Sequence, residues 1–335
     1  MPLDQDFDDK KVVITGAGGE YGLLTVTKLL ARGVRPSSLI LVTDKPQTIM
    51  DSFAARGCDV RCGRSNSSVD ELAATFAGGQ TLLLIPDTGG SRTEQEHKTI
   101  CAALRAGIQH IVFISIIGAE RDQPTAFVAR DSKAVEQRLF HESMRWTILR
   151  DSQYSETMSD SVGLHALRTR MCMCNIGDGR IGFVSREDSA ACAAAILENP
   201  ELHHRRTYHL TGPETLRLRD VLDMLEDLEG LERGAIRHEV VCDDRMVESL
   251  ESSGVPKEQA VGGDGHIGLF NSLDMVSFGR ACRLGEMAMM TDDVALLTGR
   301  KPQSMREVLL RRRPWKNDSA WGIEDVELGL SRSCI

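Results

Sequence analysis

Val12-Val13-Ile14-Thr15-Gly16-Ala17-Gly18-Gly19-Glu20-Tyr21-Gly22 leads directly into Leu23-Leu24-Thr25-Val26-Thr27-Lys28-Leu29-Leu30. An apolar, β-branched run meets a glycine turn, and the turn opens a segment with helical apolar spacing. Gly16, Gly18, Gly19 and Gly22 let the backbone turn sharply and come close to an anionic group. The first helical turn offers N–H groups without helical partners and the positive end of the helix dipole. Strand, glycine turn and helix in this order form the fingerprint of a dinucleotide pyrophosphate site. Glu20 and Tyr21 belong to the same turn. A carboxylate at position 20 complements the dipole even without touching a ligand.

Working outward, residues 38–43, 59–62, 81–85, 111–115 and 146–149 read as further buried strands. Residues 69–76, 92–106 and 131–142 between them carry helical spacing. This alternation predicts an α/β fold with a Rossmann-type doubly wound parallel sheet. Ligands of such sheets bind beyond the carboxyl ends of the strands. That rule singles out Asp44, Lys45, Ile85, Pro86, Ser115 and Tyr154. The later chain changes character: 180–184 and 207–210 read as strands, and 185–198, 219–228, 243–253, 271–280, 292–298 and 304–312 as helices. It predicts a second lobe after the parallel sheet. The stretch Gly262-Gly263-Asp264-Gly265 reads as a loop suited to covering a site.

Composition narrows the function. The 335 residues suffice for two lobes, and 40 basic against 49 acidic side chains give a net charge of −9. That balance argues against nucleic acid or an anionic membrane as the main partner. No apolar run is long enough to span a bilayer, and the acidic first nine residues do not read as a signal peptide. Nine irregularly spaced cysteines fit reduced thiols and a cytoplasmic location. Met171-Cys172-Met173-Cys174 lacks a second pair for zinc, so no metal site is predicted. His203-His204 lies in a polar loop without a carboxylate partner for a metal, His97 reads as structural, and no Gly-x-Ser-x-Gly elbow supports a hydrolase.

Asp44 follows the second strand, where a carboxylate accepts hydrogen bonds from ribose hydroxyls and repels a 2′-phosphate. Lys45 beside it would attract that phosphate, and Asp44-Lys45-Pro46 is also an ordinary surface turn. The pair leans toward NAD(H) over NADP(H). Lys133 sits in Ala129-Arg130-Asp131-Ser132-Lys133-Ala134-Val135-Glu136, where short-chain dehydrogenases carry a catalytic Tyr with a Ser-Lys pair; Ala129 stands at the tyrosine position. Lys133 would hold the nicotinamide ribose or act as a base, or it is a solvated helix lysine. The chain has only three tyrosines. Tyr21 lies in the glycine turn and Tyr208 inside a strand, which leaves Tyr154 as the candidate proton donor, against a packing role. Ser115 is a second hydroxyl at a strand end, or a cap.

These features, with Leu82-Leu83-Leu84-Ile85-Pro86, Ala106-Gly107-Ile108-Gln109-His110-Ile111-Val112-Phe113-Ile114-Ser115, Thr147-Ile148-Leu149-Arg150-Asp151-Ser152-Gln153-Tyr154-Ser155-Glu156, Gly177-Asp178-Gly179-Arg180-Ile181 and Leu297-Thr298-Gly299-Arg300-Lys301-Pro302, resemble the NmrA-like atypical short-chain dehydrogenase/reductases. The nearest likeness is to their bacterial NAD(P)H-quinone oxidoreductase members. The resemblance implies a Rossmann lobe over 1–153 plus about 179–200 and a smaller α/β C-terminal substrate lobe over about 154–178 plus 201–314; after Pro314 the polar residues 315–335 read as a tail. It carries the glycine-loop role onto Gly16, Gly19 and Gly22. Those members usually have an arginine where this chain has Thr43, which weakens the case for NADP. Two functions follow. One is hydride transfer between NAD(P)H and a small conjugated carbonyl or quinone. The other is a nucleotide-sensing regulator without turnover, favoured by Ala129. Oligomeric state is left open.

Overall fold

The computed structural model describes residues 10–44, 49–86, 92–257 and 271–313. Lys45, the Gly89-Gly90 turn, the 262–265 stretch and the 315–335 tail lie outside the described residues. The chain runs through β1 (Val12–Ile14), α1 (Glu20–Ala31), β2 (Leu39–Thr43), α2 (Ile49–Ala55), β3 (Asp59–Cys62), α3 (Val69–Phe76), β4 (Thr81–Leu84), α4 (Arg92–Arg105), β5 (His110–Ile116), α5 (Phe127–His141) and β6 (Arg145–Asp151). It continues through α6 (Ser155–Thr157), a π-helical turn (Met158–Gly163), α7 (Leu164–Thr169), β7 (Met171–Cys174), β8 (Arg180–Ile181), α8 (Arg186–Glu198), β9 (Arg206–Leu210) and β10 (Leu216–Arg217). Last come α9 (Leu218–Leu228), β11 (Arg237–Val240), α10 (Asp243–Ser252), α11 (Ser272–Arg283), α12 (Asp293–Thr298) and α13 (Met305–Arg312).

The main sheet has the order β3-β2-β1-β4-β5-β6-β9. β3, β2, β1, β4 and β5 pair in parallel, with Val13 opposite Ile40 on one side and Leu82 on the other. The order reverses between β1 and β4, which is the switch point where a Rossmann fold binds its dinucleotide. β1, β2 and β4 are buried at every position, as strands covered on both faces must be. No helix among the described residues is long and apolar enough to cross a membrane.

Two compact units result. The first is Met1–Ser115, Asp131–Arg150 and Ser189–Tyr208; the second is Ile116–Arg130, Asp151–Asp188 and His209–Ile335. The expected lobe boundaries differ from these units: 116–130, 151–153 and 179–188 fall in the second and 201–208 in the first. Packing explains part of the difference. Ile117, Ala126 and Ala129 enter a core with Leu222, Leu225, Met287 and Leu309. The first unit has its own core around Val13, Ile40, Phe76, Leu82, Ile111, Phe113 and Leu139.

The helices over 69–76 and 92–106 form where their spacing predicts, α3 being started by a reciprocal Ser68–Glu71 capping box. α5 begins at Phe127, ahead of the expected 131. The 180–184 strand contracts to Arg180–Ile181, because the Gly182 N–H is drawn to Met287 O at 3.0 Å. The helical run from Ser155 to Thr169 escapes the sequence reading. It buries Ser155, Glu156, Ser159, Asp160 and Ser161 beside Met158 and Ala166, so polar side chains interrupt its apolar spacing.

Candidate cofactor site and the Tyr154 segment

Gly16 has φ +61°, a left-handed conformation that favours glycine. The Ala17 N–H donates to Val42 O at 3.0 Å, and the Thr15 N–H to Leu83 O at 3.1 Å. The turn is thereby pinned to β2 on one side and β4 on the other. The Thr15 hydroxyl also donates to Leu83 O at 3.1 Å and accepts from the Ile85 N–H at 3.0 Å. This holds Ile85 beside Gly16: a Cβ built on Gly16 would lie 3.6 Å from Ile85 Cβ. Gly22 is required by packing instead. A Cβ there would lie 2.5 Å from Gly16 O and 2.6 Å from Ala17 Cα.

Gly19 caps α1 in an extended conformation, and no side chain caps the helix. Gly16, Gly18 and Gly19 are exposed. The arrangement is a backbone cradle in front of a helix N-terminus, and its donor set fits a pyrophosphate. Glu20 opens the helix half-buried. Tyr21 turns inward instead, its hydroxyl 2.8 Å from Ser189 Oγ on α8. Asp44 is exposed directly after β2, and Ile85 and Pro86 are half-buried directly after β4.

Ser115 lies inside β5 and is buried; its hydroxyl donates to Glu136 Oε1 at 2.6 Å. Arg150 on β6 donates to the same carboxylate, from Nε to Oε1 at 2.9 Å and from Nη2 to Oε2 at 2.5 Å. Glu136 is 1% exposed, so this bidentate pair satisfies a carboxylate that burial alone would penalise. It anchors α5 between β5 and β6. Lys133 sits half-buried on that helix, one turn before Glu136. Arg92 and Thr93 fasten the start of α4 to Asp131 of α5 at 2.9 and 3.1 Å.

Tyr154 belongs to the second unit. Its hydroxyl donates to Asp151 Oδ2 at 2.5 Å, and the Arg186 guanidinium stands 5.0 Å from its ring centroid. The Arg186 N–H donates to Glu156 Oε2 at 3.0 Å, and burial pushes the Glu156 carboxyl above its ordinary value, against the lowering effect of that bond. Ala129, at the place of the dehydrogenase tyrosine, is completely buried in the second core. Among the described residues no group of three or more His, Cys, Asp or Glu is placed to hold a metal ion.

The family model described as NAD(P)H-binding matches residues 16–200. The chain belongs to this NAD(P)H-binding family. The match begins at Gly16, the first residue of the cradle. Quinone oxidoreductase 2 of Escherichia coli (strain K12) is 28% identical over 248 residues, covering 73% of this chain and 82% of that protein. The structure of an Escherichia coli NADPH-dependent quinone oxidoreductase complexed with NADPH has a TM-score of 0.78 at 23% identity, covering 89% of this chain and 98% of that one. NmrA, a negative transcriptional regulator in complex with NAD, has a TM-score of 0.67 at 15% identity, covering 93% and 98%. These likenesses show the fold.

Within the NAD(P)H-binding family frame, several structural residues were missed by the sequence reading. Glu136 was visible in the Ser132-Lys133 segment, but its partners Ser115 and Arg150 were not paired with it. Asp151 stands in the 147–156 stretch without an assigned role, and Arg186, at a helix start, carries no motif.

Proposed function

We propose that the chain is an NAD(P)-dependent oxidoreductase that transfers a hydride between the nicotinamide and a small conjugated carbonyl or quinone-like substrate. The observation that carries this is the cradle, where Gly16 supplies the turn and Gly22 the close approach of α1. The named activity of the Escherichia coli quinone oxidoreductase relative supports it. When bound, the nicotinamide supplies or accepts the hydride. Gly16, Gly18, Gly19 and the N–H groups of Glu20, Tyr21 and Gly22 would hold the pyrophosphate, with Ile85 and Pro86 as an apolar wall. Asp44 would accept the adenosine ribose hydroxyls beside Lys45, favouring NAD(H). Lys133 would hold the nicotinamide ribose, and Tyr154 would exchange a proton with the substrate oxygen. The Ser115 hydroxyl is given to Glu136, so its assigned role is to fix α5 rather than to touch the cofactor. The second unit would supply the substrate lobe.

A quinone that accepts hydride becomes a phenolate-like anion, which water can protonate, so the missing dehydrogenase tyrosine does not block the reaction. Cofactor and substrate orientation then supplies most of the rate. The regulator reading keeps one specific support, the buried Ala129. The deciding experiment follows NADH and NADPH absorbance with a panel of quinones, enones and ketones. Turnover with at least one acceptor is expected, reduced in Lys133→Ala and Tyr154→Phe. Tight cofactor binding without oxidation by any acceptor would overturn the enzyme reading and leave the regulator.

A further inference from the structure

Tyr154 is held from several directions within the second unit. Its hydroxyl donates to Asp151 Oδ2 at 2.5 Å. Its backbone forms a parallel bridge to Val184, flanked by bonds from Ser155 N to Val184 O at 2.9 Å and from Val184 N to Gln153 O at 3.1 Å. Arg186 places its cation over the ring, 5.0 Å from the centroid. Asp151 and Arg186 are 3% and 1% exposed. A phenol bonded to a carboxylate has its proton directed along that bond, so proton movement through it has a defined end. A cation on the ring face offsets the negative charge of the pair. The next charged groups out are Glu156, bonded to the Arg186 N–H, and Arg311, 3.9 Å from Glu156.

We propose that Tyr154 and Asp151 form a two-member proton relay in which Asp151, acting through Tyr154, is the terminal base, suited to substrates whose reduced form carries a hydroxyl. The inference rests on the oxidoreductase reading and on Tyr154 meeting the substrate. In the oxidising direction the substrate O–H bond breaks and its proton passes to Tyr154 Oη. Tyr154 gives its own proton to Asp151 Oδ2. The electron pair of the carbinol C–H bond would be taken as hydride by the oxidised nicotinamide that the cradle residues would hold, as the C=O bond forms. In the reducing direction protonated Asp151 returns the proton through Tyr154. Asp151 is a positioning residue in this scheme; Tyr154 is the group that meets the substrate.

The test uses the full chain and the variants Asp151→Asn, Asp151→Glu and Tyr154→Phe. The first readout needs no substrate: ultraviolet difference titration of tyrosinate formation. Tyr154→Phe is expected to remove one titrating component, and Asp151→Asn to move that component at least one pH unit lower. Coincident curves for Asp151→Asn and the native chain would overturn the relay. The second readout is steady-state reduction of isatin and 4-nitrobenzaldehyde, conjugated carbonyls whose products are carbinols, with NADH across pH. Asp151→Asn is expected to lower kcat at least tenfold with KM within about threefold, and to flatten the rise of kcat toward acid pH. Asp151→Glu is expected to restore part of kcat. A change confined to KM, or an unaltered pH profile, would overturn the relay. If the native chain oxidises no cofactor with these acceptors or with the quinones and enones, the oxidoreductase reading fails on its own, while the titration still decides the pair.

Discussion

The turn after β1 and the segment after β6 both lead from a strand end into a helix, but they are built differently. In the first, the contacts among the glycines lie close together in the sequence, and the flanking strands hold the turn from Val42 and Leu83. Gly22 packs on Gly16 O and Ala17 Cα, and the Gly19 N–H donates to Gly16 O at 3.0 Å. In the second, the groups that define Tyr154 include Arg186, and Asp160 of the following turn is paired with Arg312 at 2.5 Å. The cradle is mostly backbone and the Tyr154 segment mostly side chain. A backbone device needs only residues of the right conformation, which a local motif can announce. A side-chain device needs partners that the fold brings from elsewhere.

Substitutions can break or sharpen this contrast. The largest effect is expected at the buried anchor of α5. Arg150→Met removes the cation from Glu136 and is expected to destabilise the chain by about 3–5 kcal/mol, read by urea unfolding. A change under about 1 kcal/mol would show that the anchor is not a distant-partner device of consequence. Gly22→Ala comes next, at roughly 1–3 kcal/mol of overpacking, with loss of NADH binding by fluorescence titration. Full binding in that variant would show that the cradle tolerates a side chain and is not fixed by its glycines.

A third prediction uses pH. His110 is 1% exposed, and burial, helped by Arg145 and His204, lowers its pKa to about 3. Its Nε2 lies 2.8 Å from Thr147 Oγ1. The folded value lies below the ordinary 6.5, so the unfolded chain takes up a proton first as pH falls. The resulting stability is present above about pH 6.5 and lost progressively toward about pH 3. Between pH 7 and pH 5 the loss is expected to be about 2 kcal/mol, and His110→Gln should flatten that slope in urea titrations. The smallest effect is at Asp44→Arg, expected to shift the NADPH-to-NADH ratio of kcat/KM upward about tenfold, roughly 1.4 kcal/mol. An unchanged ratio would remove Asp44 from the cofactor site.

The same contrast explains what could be read beforehand. The helix over Val69–Phe76 was legible because Ser68 and Glu71 form its cap and Leu72, Ala73 and Phe76 its buried stripe. The parallel pairing of β1 to β5, though not their order, followed from apolar strands alternating with such helices. The Ser155–Gly163 turns were not legible, because polar residues line their buried side. Tyr21 was read as a loop residue from its place in the motif. Its bond to Ser189, 168 positions away, required the sheet and α8 to be assembled first.

The sequence by itself determined the α/β class, the parallel sheet and the cradle. Each of these rests on residue conformation and periodicity within a short window. Tertiary structure decided that Ser115 serves Glu136 and Arg150, that residues 116–130 pack with the second core, and that Asp151 and Arg186 address Tyr154. Those outcomes depend on burying charge and filling volume among residues far apart in the chain. Such pairings exist only once the strands and helices have fixed which side chains lose their water together.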